Sequence, residues 1–390
     1  MSGPILPTNP LIPPPHDRHC QRRSADARFR VYSGRLVLLR GSFIRGALAA
    51  DGAHRVSKTG NHGSIIIRQI ERTGLGLWYC ETRSEHDTNP VDNLADLAGK
   101  TVIVTGAARG IGASTAALFN SHGANVVLVD LPQAKDAATS LIESFQYPEK
   151  SLFAPANILV WKDLVSVFKT AVQRFSKVDV VVANAAIMES KPVLDVEVDE
   201  AGDPVESLEA NRVIDVNLKG TLNTLRLGLH YLSQNEPSAT GSRGSIVFVT
   251  STSGYFGSTG NAAYISSKHG VVGLMRASLR RAASLGISLS SVAPCYTPTH
   301  LTAGFGQKIT DAGLNANTPE GVASVAASLA CDGTAHGLAC LVWGGYKREL
   351  ERTRQELLVS WLGNDLVDSM TKFGQLMDSM GGYPLPQNKD

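Results

Sequence analysis

Tyr264 and Lys268 stand four residues apart in a stretch, 261–283, that is predicted to form a helix. Side chains at this spacing project from the same face of a helix, so the phenol and the ammonium would be neighbours. A free tyrosine titrates near ~10, and a nearby positive charge lowers that pKa because it favours the phenolate. The pair therefore predicts a tyrosine that exchanges a proton near neutral pH. An ordinary exposed pair is the alternative, since the spacing alone is common.

The composition bounds the class of protein. The 390 residues are 43% hydrophobic, enough for one large domain or two small ones, and the net charge of +2 argues neither for nor against a polyanionic partner. The five cysteines are scattered and lack C-x-x-C spacing, which disfavours a zinc site or a disulfide framework and fits a reducing compartment. No apolar run approaches the ~20 residues of a membrane span. We therefore predict a cytoplasmic protein without a metal site or a membrane partner.

The first 95 residues differ in composition from the rest of the chain. Their start is rich in proline, arginine recurs between residues 18 and 45, and hydrophobic periodicity is weak. This pattern predicts a poorly ordered extension, 1–95, with one strand near 64–68. An arginine-rich start also fits a mitochondrial import signal, although early prolines oppose the helix that such a signal needs. A nucleic-acid-binding arm is the least favoured alternative, and we predict no nucleic-acid partner.

Beyond this extension, short runs rich in valine and isoleucine alternate with helical stretches. The alternation predicts an α/β fold: a doubly wound, seven-stranded parallel sheet of the Rossmann type, with helices on both faces. This α/β domain would span 96–345, followed by a helical tail, 346–390, with one amphipathic helix at 347–373. The strands are predicted at 101–105, 125–130, 151–156, 178–183, 244–250, 287–293 and 338–343. The other main helices are predicted at 110–122, 161–175, 206–232 and 319–330.

A glycine-rich loop, 105–112, joins the first predicted strand to the first helix. Gly106 would permit a tight turn, Gly110 a close approach to a pyrophosphate, and Gly112 close packing of the helix on the strand. The helix N-terminus would add unpaired N–H groups and a partial positive charge. The loop therefore predicts a dinucleotide site, with spacing G-x-x-x-G-x-G. Glycines that only allow a turn are the alternative.

Asp130 ends the second predicted strand, 18 residues after Gly112. A carboxylate at this place accepts hydrogen bonds from the adenosine ribose hydroxyls and repels a 2′-phosphate, which favours NAD(H). Arg109 has the opposite effect, since a guanidinium could pair with a 2′-phosphate. We predict NAD(H), because the carboxylate would lie at the hydroxyls themselves, and NADP(H) is the alternative.

Several motifs in chain order resemble those of the short-chain dehydrogenase/reductase family over about residues 97–345. They are T-G-x-x-x-G-x-G at 105–112, an N-N-A-G-like segment at 183–186, Asn217, Ser251, and Y-x-x-x-K at 264–268. Ser251 precedes Tyr264 by 13 residues, as in members of the family. The resemblance implies an NAD(P)-dependent alcohol dehydrogenase or ketone reductase, assembled as a homodimer or homotetramer. It implies these cofactor-binding residues: Gly106, Arg109, Gly110, Ile111, Gly112, Asp130, Asn157, Asn184, Tyr264, Lys268 and Thr299.

The resemblance also implies the catalytic roles. Tyr264 as phenolate would take the proton of an alcohol while the nicotinamide takes the hydride. Lys268 would lower the pKa of Tyr264 and hold the nicotinamide ribose. Ser251 would donate a hydrogen bond to the substrate oxygen, and Asn217 would hold a water that links Lys268 to solvent. Three neighbouring serines are alternative donors: Ser253, Ser266 and Ser267.

The chain departs from the family pattern at a few positions. Asn157 replaces an aspartate that touches the adenine, and its carbonyl oxygen can still accept a hydrogen bond. Ala183 and Ala186 replace an asparagine and a glycine near the cofactor. Cys295 replaces the glycine of P-G-x-x-x-T, where it either fills space or provides a reactive thiol, and Thr299 would still contact the nicotinamide amide.

Substrate choice is predicted to depend on a lid, 296–317, and on a second wall, 188–203. Apolar residues in and near them favour a hydrophobic secondary alcohol or ketone: Tyr255, Phe256, Leu301 and Phe305. The stretch 343–362 is similar to fungal members of the family near the 15-hydroxyprostaglandin dehydrogenase type, some of which act on polyketide-like secondary metabolites. A catalytically inactive dinucleotide-binding sensor is the alternative from another class. The complete set of proton-transfer groups argues against it.

Overall fold

The computed structural model describes residues 94–257, 260–304 and 306–386, together with the backbone of four short strands near the N-terminus. The chain divides into two units, Met1–Thr82 and Arg83–Asp390. In the first unit, β1 (Val31–Tyr32) pairs antiparallel with β2 (Arg35–Leu36), and β3 (Arg55–Lys58) pairs antiparallel with β4 (Ile65–Arg68). β4 corresponds to the strand predicted near 64–68. Three predictions concern residues outside those described: the lack of order, the import signal and the nucleic-acid-binding arm.

An eight-stranded sheet forms the centre of the second unit. Its strands are β5 (Thr101–Thr105), β6 (Asn125–Asp130), β7 (Ser151–Pro155), β8 (Val180–Ala183), β9 (Gly244–Val249), β10 (Ile287–Pro294), β11 (Ala339–Trp343) and β12 (Tyr346–Glu349). They lie in the order β12-β11-β10-β9-β8-β5-β6-β7, and all pairs are parallel except β11 with β12. The predicted doubly wound α/β fold is confirmed, with one strand more than the seven predicted.

Ten α-helices lie in the described part of the chain. They are α1 (Gly110–Ser121), α2 (Lys135–Glu143), α3 (Trp161–Phe175), α4 (Leu208–Ile214), α5 (Thr221–Leu232), α6 (Ala262–Ser284), α7 (Gly306–Asp311), α8 (Pro319–Cys331), α9 (Glu351–Leu362) and α10 (Asn364–Ser379). Thr318 caps α8 by accepting a hydrogen bond from the N–H of Gly321, with proline at the first position of the helix. None of these described helices has both the length and the apolar character needed to cross a bilayer.

Burial on both faces explains why the strands are rich in valine and isoleucine. All five residues of β5 and all eight of β10 are buried. On one face of the sheet, Phe168, Leu225 and Met275 pack from α3, α5 and α6. On the other face, Phe119 and Val325 pack from α1 and α8. The sheet is therefore a rigid platform whose strand ends can hold side chains in place.

Two predicted helices differ from the structure. The helix predicted at 206–232 is divided into α4 and α5 by a π-helical turn, Asp215–Gly220, a feature often found at functional sites. The single helix predicted at 347–373 is instead β12, α9 and α10. β12 forms because the edge of β11 offers unpaired backbone groups, so the sheet continues into the segment predicted as a helical tail. Gly363, with φ of 82°, separates α9 from α10 because a helix cannot continue through that conformation.

Candidate active site

The predicted site residues lie where the central parallel strands end. The glycine loop follows β5, Asn184 follows β8, Ser251 follows β9, and the segment of Cys295 to Thr299 follows β10. The carboxyl ends of parallel strands form the crevice in which open α/β sheets bind ligands. Helix α6 crosses this edge, and Lys268 donates a hydrogen bond from Nζ to the carbonyl oxygen of Val249, the last residue of β9, at 3.0 Å. The structure thus brings the motif residues together at one edge.

The glycine loop has the shape of a phosphate cradle. Gly106 and Gly110 have φ of 65° and 56°, in the left-handed region that favours glycine. A Cβ at Gly106 would lie 2.8 Å from the Cα of Ala185, and one at Gly112 would overlap the carbonyl oxygen of Gly106. The missing side chains therefore let the loop pack closely on itself and on the segment after β8, at the N-terminus of α1. These residues fit the pyrophosphate of a dinucleotide.

Thr299 packs against this loop from the far side of the crevice. A Cβ at Gly110 would lie 3.0 Å from Cγ2 of Thr299, so the loop after β5 and the segment after β10 approach each other. Thr299 begins a short 3-10 turn, and the hydroxyl of Thr302 donates to the carbonyl oxygen of Thr297 at 2.7 Å. The geometry brings Thr299 to the cradle, where a contact with the nicotinamide was predicted.

The side-chain amide of Asn184 is hydrogen-bonded to the glycine loop. Its Nδ2 donates to the carbonyl oxygens of Thr105, at 2.9 Å, and Gly106, at 3.1 Å. The hydroxyl of Thr105 accepts hydrogen bonds from the backbone N–H groups of Asn184 and Ala185. The segment after β8 is thereby fastened to the cradle. The predicted direct contact of Asn184 with a cofactor stays a prediction.

Asp130 lies against the same loop. Its Oδ2 accepts a hydrogen bond from the N–H of Ala108 at 3.0 Å, and its Oδ1 accepts one from Leu131 at 2.8 Å. Asn157 uses its Oδ1 to accept from the N–H of Leu159 at 3.0 Å, so this carbonyl oxygen already has a partner. The carboxylate of Asp130 is thus placed beside the cradle, and adenine recognition by Asn157 stays a prediction.

Ser251 and Tyr264 are brought together, as predicted. Ser251 is 8% exposed, and its Oγ accepts a hydrogen bond from the N–H of Ser253 at 3.1 Å. Burial raises the pKa of Tyr264 above its ordinary value; a hydrogen bond with the Ser251 hydroxyl lowers this pKa, and the carboxylate of Glu189 raises it. The phenol therefore stays protonated at neutral pH in this structure.

Lys268 lies as predicted, but its predicted effect on Tyr264 is not seen. Its Nζ is 5.6 Å from the centroid of the Tyr264 ring, and the side chain is almost fully buried. Burial lowers the pKa of Lys268 to about 8, because a low-dielectric environment disfavours the ammonium. The lysine is thus a weakened cation. Lys268 is not among the groups that shift the pKa of Tyr264, and burial of the phenol raises that pKa.

Asn217 lies inside the π-helical turn and is 1% exposed. Its Nδ2 donates to the carbonyl oxygen of Ile187 at 2.8 Å and to Oγ of Ser267 at 2.9 Å, and its Oδ1 accepts from the N–H of Ile187 at 2.8 Å. Both of its amide hydrogens are therefore used to join the segment after β8 to α6. The predicted role in holding a water stays a prediction.

Glu189 is a site residue that the sequence did not indicate. Its carboxylate is buried and accepts hydrogen bonds from the N–H groups of Ala263 and Tyr264, both at 3.0 Å. It therefore caps the N-terminus of α6, where Asn261 makes no side-chain capping bond and the first turn holds no acid. The sequence shows only that the first turn of α6 lacks an acid, and this does not say which distant residue supplies the carboxylate.

The residues predicted to line the substrate differ in their exposure and in their contacts. Phe256 is 58% exposed and Leu301 is half-buried, whereas Phe305 lies outside the described residues. Tyr255 is half-buried and donates its hydroxyl hydrogen to Glu351 at 2.9 Å. In the second wall, Leu194 is 78% exposed. Tyr255 is therefore committed to a polar contact with the C-terminal segment.

The loop after β10 is held by Asn317. Its Nδ2 donates to the carbonyl oxygen of Val342 at 2.9 Å, and its Oδ1 accepts from the N–H of Gly344 at 2.7 Å. Cys295, at the start of this loop, accepts a hydrogen bond from Oγ1 of Thr297 through its carbonyl oxygen. Within the described residues, no three His, Cys, Asp or Glu side chains converge as metal ligands.

Comparison with known proteins agrees with this class of site. The short chain dehydrogenase family matches residues 100–310, and the chain belongs to this family of oxidoreductases, as predicted. It is 33% identical over 211 residues to 3-hydroxyacyl-CoA dehydrogenase type-2 of Homo sapiens, a match that covers 54% of this chain and 78% of the relative.

Two solved structures are similar to the chain. One is 3-hydroxyacyl-CoA dehydrogenase type-2 from Mycobacterium avium, with a TM-score of 0.56 and 25% identity, covering 67% of this chain and 100% of that one. The other is 3-ketoacyl-(acyl-carrier-protein) reductase from Brucella melitensis complexed with NADH, with a TM-score of 0.54 and 26% identity, covering 64% of this chain and 98% of that one. The fold and the family thus agree on hydride transfer with a nicotinamide cofactor.

Proposed function

We propose that this protein transfers a hydride between NAD(H) and a hydrophobic secondary alcohol or ketone. The observation that carries the proposal is the convergence of Ser251, Tyr264 and Lys268 at the carboxyl edge of the sheet, the edge that also holds the glycine loop. A protein that only binds a nucleotide need not keep proton-transfer groups at that place.

Each residue of the chain has a role in this proposal. The glycine loop and Thr299 hold the dinucleotide, which supplies or accepts the hydride when bound. Tyr264 exchanges a proton with the substrate oxygen, and Ser251 donates a hydrogen bond to that oxygen as charge develops on it. Lys268 reaches past Tyr264 to the end of β9, where it would hold the nicotinamide ribose. Asn217 would keep this lysine in contact with solvent through a water.

The protonation of Tyr264 supports one direction of reaction. A phenol whose pKa is raised keeps its proton at neutral pH, so the proton that a ketone oxygen needs is present on Tyr264. Oxidation of an alcohol needs the phenolate and should therefore require alkaline pH. We propose that ketone reduction is the faster direction near neutrality.

The cofactor preference rests on Asp130. Its carboxylate is held against the cradle by the N–H of Ala108, so a ribose 2′-phosphate bound there would meet a negative charge. The similar reductase from Brucella melitensis is complexed with NADH, which also supports NAD(H). NADP(H), with Arg109 as the phosphate partner, is the alternative outcome.

The substrate class draws support from the similar proteins. Those named above act on 3-hydroxyacyl or 3-ketoacyl compounds, in which the reacting oxygen lies on a carbon two bonds from the acyl carbonyl. Polyketide-like molecules carry the same pattern of alternating carbonyls. We therefore propose a 3-oxoacyl compound or a related hydrophobic ketone of secondary metabolism.

The test is a turnover assay on the purified full chain. Acetoacetyl-CoA and a panel of hydrophobic ketones are offered with NADH or NADPH at neutral pH, and absorbance of the reduced cofactor is followed. The matched variant is Tyr264→Phe, which should lower kcat by roughly 100-fold or more and leave NADH binding intact. Normal NADH binding with no turnover on any ketone or alcohol would instead support a dinucleotide-binding sensor.

Two further expectations concern the whole protein. We propose a homodimer or homotetramer, as the family resemblance implies, which light scattering of the purified chain would measure. We also propose a cytoplasmic location, with mitochondrial import through the arginine-rich start as the alternative. Fractionation of cells that express the full chain distinguishes the two locations.

A further inference from the structure

A buried carboxylate outside the proposed catalytic set joins three elements. Glu351, the first residue of α9, is 5% exposed. Its Oε1 accepts hydrogen bonds from the Tyr255 hydroxyl at 2.9 Å and from Nη2 of Arg276 at 2.8 Å, and its Oε2 accepts one from Nε of Arg276 at 3.0 Å. Arg354, one turn further along α9, donates to Oε2 at 3.3 Å. Nε of Arg276 also donates to Oε1 at 3.2 Å, so the carboxylate is held in place by five hydrogen bonds from three side chains.

Two of these partners lead directly to the proposed site. Arg276 lies on α6, the helix that carries Tyr264 and Lys268. Tyr255 follows a 3-10 turn, Thr252–Gly254, that Ser251 itself begins and caps with its Oγ. Glu351 thus contacts both the helix of the proposed acid and the turn of the proposed hydrogen-bond donor.

The turn has little freedom between these contacts. A Cβ at Gly254 would lie 2.8 Å from the carbonyl oxygen of Lys268, so the turn presses against α6 at the lysine. One residue further on, the Tyr255 hydroxyl is bound to Glu351. The turn is therefore held on one side by close packing on α6 and on the other by the carboxylate of α9.

The charge states of Glu351 and Tyr255 favour a stable hydrogen bond between the carboxylate and the phenol. Burial tends to raise the pKa of Glu351, but hydrogen bonds from Arg276 and Tyr255 outweigh it and leave that pKa below its ordinary value. Burial and the charge of Glu351 raise the pKa of Tyr255 well above its ordinary value. Glu351 is thus an acceptor and Tyr255 a donor over the whole physiological range of pH.

We propose that Glu351 is a positioning residue of the active site, which holds the Ser251 turn in its productive place through the Tyr255 hydroxyl. The proposal rests on the proposed function, since it assumes that Ser251 faces the substrate oxygen. Misplacement of a catalytic group by about 1 Å can cost about 100-fold in rate, so loss of the Tyr255–Glu351 hydrogen bond should have a measurable effect on turnover.

The test uses Tyr255→Phe, Glu351→Ala and the double variant in the full chain. Tyr255→Phe removes one oxygen and leaves the Glu351–Arg276 pair intact, so the fold should survive. We expect kcat for the best ketone of the panel to fall about tenfold in each single variant, with less than a twofold change in NADH affinity by fluorescence titration. The kcat of the double variant should be no lower than that of Glu351→Ala alone, because both changes break the same hydrogen bond.

Arg354→Gln is the matched control. It removes a partly exposed partner of Glu351 from the same helix and leaves the bond to Tyr255 in place, so kcat should match the parent. Parental kcat in Tyr255→Phe, while Tyr264→Phe is inactive, would overturn the positioning role and leave the proposed function standing. Parental turnover in Tyr264→Phe would overturn the proposed function itself. Additive losses in the double variant would show that Glu351 does not act through Tyr255.

Discussion

The carboxylate of Glu189 accepts a hydrogen bond at 3.0 Å from the backbone N–H of Tyr264. The proposed acid is therefore attached, through its own backbone, to a residue in the segment that follows β8. The contact also places a negative charge at the N-terminus of α6, where the helix dipole favours it. The same charge raises the pKa of the Tyr264 phenol, so one residue influences both the position of the acid and its proton affinity.

Glu189→Gln should shift the pH dependence of alcohol oxidation. An amide keeps one of the two acceptor oxygens that bind the N–H groups of Ala263 and Tyr264, and it removes the charge that raises the pKa of Tyr264. The phenolate would then form at lower pH, so the rising limb of kcat/KM against pH should move to lower pH. Glu197→Gln, which changes an exposed acid paired with Lys191, is the control and should leave the limb in place. An unchanged limb in Glu189→Gln would refute this coupling.

Ser251→Ala should lower kcat for ketone reduction by about 100-fold, the usual effect of removing one donor to a developing oxyanion. The neighbouring Ser266 is exposed and provides the control, because Ser266→Ala should keep parental kcat. Steady-state kinetics on both variants measures the difference. Equal losses would mean that the serine-to-tyrosine spacing does not identify the donor.

Gly112→Ala should prevent NADH binding. The added Cβ would overlap the carbonyl oxygen of Gly106 and force the cradle apart. The control is Gly273→Ala, at an exposed position inside α6 where a Cβ meets nothing within 4 Å. That change should leave NADH binding intact and raise the free energy of unfolding by about 1 kcal/mol, because alanine is the better helix former. Fluorescence titration and urea unfolding measure the two effects.

Lys268→Met should stabilise the cofactor-free protein while it abolishes turnover. Burial lowers the pKa of Lys268 to about 8, from 10.5 for an ordinary lysine. At pH below both values, folding buries a charge at a cost of about 3 kcal/mol. Between these two pKa values the unfolded chain binds a proton that the folded chain has released, so stability should rise with pH. Urea unfolding at pH 7 and at pH 10 should show this rise in the parent and not in the variant.

Asp130→Asn should shift the cofactor preference toward NADP(H). The amide would no longer repel a 2′-phosphate, so kcat/KM for NADPH relative to NADH should increase roughly tenfold, the effect of about 1.4 kcal/mol. Arg109→Gln in the same background should reverse the gain if the guanidinium binds that phosphate. A parent that already prefers NADPH would show that Arg109, rather than Asp130, decides the cofactor.

Much of the fold followed from local pattern. β5, β6 and α3 begin and end at the predicted residues, because short apolar runs and helical periodicity act over neighbouring positions. The glycine loop could also be predicted from the sequence, because tolerance of a positive φ and the lack of a side chain are properties of glycine itself. The joint placement of Ser251, Tyr264 and Lys268 was implied by the family resemblance and not by local pattern.

Other features depend on partners far away in the chain. The tail was predicted as one helix because its own periodicity is helical, and only the exposed edge of β11 turns Tyr346–Glu349 into a strand. Two hydrogen-bonded contacts join segments that no local sequence pattern connects. Glu189 caps α6, and Tyr255 donates to Glu351.

By itself, therefore, the sequence determined the doubly wound sheet, the cradle and the order of the site residues along the chain. The tertiary structure decided the protonation of those residues and the contacts that hold them. Sequence spacing predicted that Lys268 would lower the pKa of Tyr264, whereas burial raises the pKa of the phenol and lowers that of the lysine. The physical reason is that desolvation depends on everything packed around a group, and that packing is set by residues from every element of the fold.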